Sequence, residues 1–195
     1  MNNTILWYTT RGAGTITLIL LTLVVVLGVM SVARPASERW PRFLSTGLHR
    51  NLALMSLIFL SIHVITAVVD PFTHLGWLTV LVPFASSYRT FWLGLGTIAF
   101  DLLLAVAITS WVRNFIGHGA WRAVHWLTYA AWPIGVLHGF GTGTDAFSLL
   151  FSGIAWACCL TVAYAVVYRL RKGTSNPLPW ARESFAVSAQ TRGEK

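Results

Sequence analysis

Charge is scarce in this sequence: Asp, Glu, Lys and Arg make up 10% of its 195 residues, and only six of them are acidic. A soluble domain carries about 25% charged residues, so a full water-facing surface cannot be assembled from this chain. With 55% hydrophobic residues and a mean hydropathy of +0.65, the solvent it suits is a bilayer. Cysteine is nearly missing too. Cys158 and Cys159 are the only two, adjacent within an apolar run, which excludes a disulfide framework and a thiolate zinc site and leaves them as small packing residues. There is no internal repeat, no low-complexity tract, and no glycine-rich phosphate loop after a strand-like segment. The net charge of +8 does not point to nucleic acid, because the basic residues lie between and after the apolar runs and form no stripe.

What is present is a series of long apolar runs. Crossing a hydrocarbon core of about 30 Å takes roughly 20 apolar residues in a helix. Runs of that length predict an all-α integral membrane bundle of five spans, near 12–33, 47–69, 91–112, 121–140 and 147–170. The first run, Ile16 to Val32, ends in the cleavage-like Ser31-Val32-Ala33 but is longer than a usual signal-peptide core, and is read as a helix. The stretch 74–88, with Trp77, Pro83 and Phe84, is too short to cross and reads as an interfacial or re-entrant turn. Residues 1–172 thus form one membrane domain, and 173–195 a polar tail.

Alternating the loops places Arg34, Arg39, Arg42, Arg50, Arg113, Arg122, Arg169, Arg171, Lys172, Arg182, Arg192 and Lys195 on one side, against Arg11 and Arg89 on the other. The positive-inside rule then puts the amino terminus outside and the carboxyl terminus in the cytoplasm, which requires an odd number of crossings. A multi-pass protein of the plasma membrane is expected.

Histidine is costly at membrane depth, so one inside a span is a functional candidate. His49 and His63 lie in the second span, 14 residues apart, and His125 and His138 in the fourth, 13 apart. Each separation is roughly 20 Å along a helix axis. The array is therefore two levels of two histidines: His49 with His125 on the inner side, His63 with His138 on the outer. A pair of imidazoles at each level is the ligand set of a bis-histidine haem used for electron transfer. A zinc site would gather three or four ligands at one point, and single histidines in spans also serve as interhelical hydrogen-bonding groups.

Helical phase tests the array. Fourteen residues bring His63 back to within about 40° of His49, but thirteen leave His138 about 140° from His125 on a regular helix. Pro133 lies between the latter two. It denies Tyr129 its backbone donor, so a distortion that turns His138 back toward the second span is expected there.

The sequence from Leu48-His49-Arg50 through His63, and from His125 through His138, resembles the paired-histidine helices of the ferric reductase and NADPH oxidase membrane domain. The resemblance covers residues 12–170. It implies two stacked b haems held by His49, His63, His125 and His138, and electron flow from cytosolic NADPH through flavin to an external acceptor. Those enzymes commonly carry a carboxyl-terminal flavin and nucleotide domain, and their membrane domain often has one helix more. Here about 25 residues follow the last span, with no phosphate loop, so the resemblance is to the shorter bacterial members that work with separate partners.

Arg50 and Arg122 flank the inner histidines and are candidates for pairing with haem propionates, or plain positive-inside anchors; Arg89 is the nearer outer candidate and Arg11 the more distant one. Trp132 falls midway between levels, opposite Ser56, and is a candidate for the space between the haems, against a lipid-facing role. Asp101, central in the third span, is read as a neutral acid bonded to a neighbour more readily than as a proton relay. His74 with Asp70 on the outer loop, and His118 on the cytoplasmic loop, read as surface residues, although the first two could take a metal substrate.

Three functions follow. The first is a di-haem b-type cytochrome passing electrons from a separate cytoplasmic flavoprotein reductase to an outer acceptor such as ferric iron or oxygen. The second is a quinol-linked cytochrome b. A transporter of protons or metal ions working through Asp101 and the histidines is the third.

Overall fold

The computed structural model describes residues 3–33, 42–143 and 148–173, and among these every regular element is helical. The elements are α1 (Asn3–Ala33), α2 (Arg42–Val69), a single 3-10 turn η1 (Trp77–Val80), α3 (Thr90–Trp111), α4 (Arg113–Ile116), α5 (His118–His125), α6 (Thr128–Thr142) and α7 (Leu149–Gly173). The protein is an all-α membrane protein. Four helices, over Thr4–Met30, Phe43–Val69, Thr90–Trp111 and Leu149–Lys172, are long and apolar enough to cross a bilayer. The segment expected as another span, near 121–140, forms two shorter helices, α5 and α6, separated at Trp126 and Leu127. The tail beyond Gly173, and Arg34 and Arg39 of the basic count, lie outside the described residues.

Helix ends follow local chemistry. Pro71 disfavours the helical region for the residue before it, and α2 stops at Val69; Asp70 then accepts the Phe72 N–H on Oδ1 at 3.0 Å, turning the chain. Between α4 and α5 the chain reverses at Gly117, whose φ of 78° suits glycine. The 74–88 stretch folds back on the α3 end of the bundle. Thr97 of α3 donates to the Thr79 carbonyl at 2.9 Å, and the Phe84 ring lies so close to Gly94 that a Cβ there would come within 2.2 Å of it.

The helices associate closely as α1 with α2, α3 with α6 and α1 with α7, and more lightly as α1 with α6 and α3 with α5. α2 and α6 are not among the close pairs. Each is backed by a neighbour, and the histidine-bearing faces oppose one another across the space left between them.

Candidate functional site

The structure brings the four span histidines together in the two expected pairs. His49 and His125 have ring centroids 6.2 Å apart with planes at 52°, and His63 and His138 are also 6.2 Å apart, at 85°. Because α2 carries one member of each pair and α5–α6 the other, these helices run in the same direction.

Three of the rings are held by one device. His63 Nδ1 lies 2.8 Å from the Thr10 carbonyl, His49 Nδ1 lies 3.1 Å from that of Val24, and His138 Nδ1 lies 2.9 Å from that of Trp92. A carbonyl only accepts, so Nδ1 is the protonated nitrogen in each. The Nε2 lone pair is thereby left free for another partner.

A helix carbonyl is normally shielded by the side chain four residues later, whose Cβ leans back over it. Four residues after Thr10, Val24 and Trp92 stand Gly14, Gly28 and Gly96. A Cβ at Gly14 would meet His63 Nδ1 at 2.8 Å, one at Gly96 would meet His138 Nδ1 at 2.5 Å, and one at Gly28 would touch His49 Cε1 at 3.6 Å. Each glycine thus opens its helix to an imidazole, and the exposed carbonyl receives it. Sequence reasoning missed all three. The signal was there: Gly14 and Gly28 are 14 residues apart, as are His49 and His63, which two antiparallel helices bring into register.

His138 faces α2 because the helix that carries it is overwound. Leu127, Tyr129 and Ala130 donate to Val124, Trp126 and Leu127 respectively, each three residues back. A 3-10 stretch advances about 20° more per residue than an α-helix, so four or five such residues recover roughly 80–100° of the missing 140°. A distortion was expected at Pro133 itself. It appears as overwinding across 124–130, ahead of the proline that leaves the Tyr129 carbonyl without a backbone donor.

The His63–His138 pair opens into a cavity of about 250 Å³ with mostly apolar walls, also lined by Arg11, Gly14, Gly96, Trp132 and Tyr88. Its walls come from α1, α2, α3, α6, α7 and the 70–88 segment. Thr10 and Thr66 share a hydroxyl hydrogen bond of 2.8 Å beside His63, locking α1 to α2. Thr142 donates to the His138 carbonyl and lies 3.3 Å from its Nδ1.

The remaining candidates separate clearly. Arg11, the more distant one in sequence, lines the cavity, with its guanidinium 5.3 Å from the Phe151 ring centre. Arg89 instead donates to the Gly141 carbonyl at 2.6 Å. Arg50 and Arg122 are exposed at the His49–His125 end. Trp132 lines the cavity and donates its indole N–H to Thr22 of α1 at 3.0 Å, so it is a tethered wall residue; Ser56 is buried at 2% exposure and bonds the Ala53 carbonyl. Asp101 is absent from the cavity wall. His74 and His118 are exposed, while Asp70 is buried in its own turn. Among the described residues no three metal-binding side chains converge. Cys158 and Cys159 are free thiols on α7.

The donor set fits a haem. An iron bound by two imidazoles at about 2 Å per bond separates the ring centres by roughly 6 Å, which is the separation found at both levels. The histidine-bearing faces of α2 and α6 oppose one another at both levels, and the three glycines accommodate the imidazole rings. The family profile described as "Ferric reductase like transmembrane component" matches residues 13–136, a segment that contains His49, His63 and His125 and ends two positions before His138. No curated protein and no solved structure matches the chain. By its sequence over most of its length, the chain belongs to the ferric reductase-like transmembrane family.

Proposed function

We propose that the protein is a di-haem b-type cytochrome that carries electrons across the plasma membrane, from a separate cytoplasmic flavoprotein reductase to an outer acceptor such as ferric iron or oxygen. The observation that carries this reading is the pair of 6.2 Å histidine contacts at two depths of one bundle; family membership supports it. Bound haem would supply one-electron exchange between ferric and ferrous iron at each depth.

The chain's own residues do the rest. His49 and His125 would hold the inner group, and His63 and His138 the outer one. The Val24, Thr10 and Trp92 carbonyls fix three imidazoles in the tautomer that presents Nε2, and such partners raise ligand basicity. Two histidines at each level would hold a haem without an open position, a ligand set that suits electron transfer over binding of a substrate. Arg50 and Arg122 at the inner level and Arg11 at the outer are placed to meet propionates. Trp132 contributes to the mostly apolar wall beside the His63–His138 pair. The transporter alternative loses its main element, since Asp101 does not face the cavity.

The test is a pyridine haemochrome assay with protein quantitation. The expected result is two b haems per chain; none, or one, would overturn the two-level reading.

A further inference from the structure

His125 departs from its three counterparts. Its Nδ1 is buried and has no hydrogen-bond partner, and no carbonyl takes the place that Thr10, Val24 and Trp92 fill for the others. Something else must set the ring, because an imidazole free to rotate about its side-chain bonds presents Nε2 in no fixed direction. The group in contact is Trp121, one turn earlier on α5, with ring centroids 5.0 Å apart and planes at 33°. Its indole is itself fixed: Nε1–H donates to Ser110 Oγ on α3 at 3.2 Å. On its other neighbour, His118 lies 5.3 Å away at 31°, so the three rings form a ladder along α5. Residues at spacings of three and four share one helix face, which makes the ladder a property of the helix.

We infer that Trp121, anchored by Ser110, is the positioning residue of His125, orienting by ring contact the one ligand that has no carbonyl partner. The inference rests on the di-haem reading. It makes the inner level chemically distinct from the outer, where both ligands are carbonyl-bonded. Ring contact sets direction without the electron donation that an Nδ1–H···O=C bond adds.

The test is electron paramagnetic resonance of the oxidised, haem-loaded protein, which reports how axial imidazole planes are set at each iron. The signal lost in His49→Ala identifies the inner level, and the outer signal in the same sample is the internal control. Trp121→Leu removes the ring, and should shift or broaden the inner low-spin signal, or convert it to high spin, while the outer signal stays put. Trp121→Phe retains a ring and should restore most of the native line. Ser110→Ala, a milder change, should broaden the same inner signal. If Trp121→Leu does not accumulate, Ser110→Ala decides alone, and an inner signal unchanged in that variant overturns the inference.

An inner signal unchanged in both Trp121→Leu and Ser110→Ala, or changes of equal size at both levels, would overturn the inference and leave the di-haem reading standing. A wild-type protein without haem would overturn both.

Discussion

At the residue scale, the site depends on what is missing from three positions as much as on the histidines. Gly14, Gly28 and Gly96 have no side chain to cover the carbonyls that receive His63, His49 and His138. Adding one methyl group at Gly96 puts a carbon 2.5 Å from the His138 ring. The ring must move and its carbonyl bond lengthen, so Gly96→Ala should weaken retention of the outer haem by about tenfold, the lower end of the cost of losing a ligand's outer partner. Gly12→Ala is the matched control, because a Cβ there meets nothing within 4 Å; haem retention measured by gel filtration against an apo-globin acceptor separates the two. Asp101→Asn should leave the outer haem in place, since Asp101 does not line the cavity at His63 and His138. Loss of haem in that variant would show that the acid acts on the site through α3.

The histidines were legible in the sequence because an imidazole in a span is conspicuous against its surroundings. Their partners were not, because a backbone carbonyl leaves no residue-type signature. Only the matching interval of glycines marked it. Arg11 and Arg89 show the same limit: distance along the chain favoured Arg89, but the fold of the 74–88 segment turns Arg89 to the α6 end, at the Gly141 carbonyl, and brings Arg11 to the cavity.

At the element scale, the helix carrying His125 and His138 is the one whose regularity the sequence ruled out. The phase mismatch was legible as arithmetic, and the proline as its cause. The form of the remedy was not, because a missing donor at Pro133 can be relieved by unwinding or by tightening the preceding turn. The structure uses tightening, with the three-residue bonds at Leu127, Tyr129 and Ala130. Pro133→Ala returns a donor to the Tyr129 carbonyl and removes the reason for that turn. His138 would then rotate away from His63 while His125, in ring contact with Trp121 on α5, keeps its direction. The expected outcome is partial loss of the outer haem, or a high-spin signal at that level, with the inner haem retained. Equal loss at both levels would mean that the turn serves general packing instead.

At the scale of the whole molecule, four long spans and the α5–α6 pair frame two levels roughly 20 Å apart, the rise of fourteen residues. α1 is the organiser of the first histidine helix, α3 of the second, and both were legible only as apolar runs. A conduit needs both levels. Vesicles holding the protein, with an impermeant oxidant trapped inside and an impermeant reductant outside, should therefore transfer electrons inward at a rate that His63→Ala or His49→Ala each lowers at least about tenfold, the lower end of what losing even a ligand's outer partner costs. Transfer that survives removal of one level would assign the path to the other level alone.

The central claim is that each iron draws one ligand from α2 and one from the α5–α6 helix, and the most direct measurement is the spectrum of the four single histidine replacements. Reduced-minus-oxidised spectra at low temperature, taken with haem stoichiometry, should sort His49→Ala with His125→Ala and His63→Ala with His138→Ala. Each variant should lose or disturb one haem and keep the other. If instead His49→Ala matched His63→Ala, and His125→Ala matched His138→Ala, each haem would belong to a single helix, and the cross-helix pairs seen at 6.2 Å would not be the ligand sets.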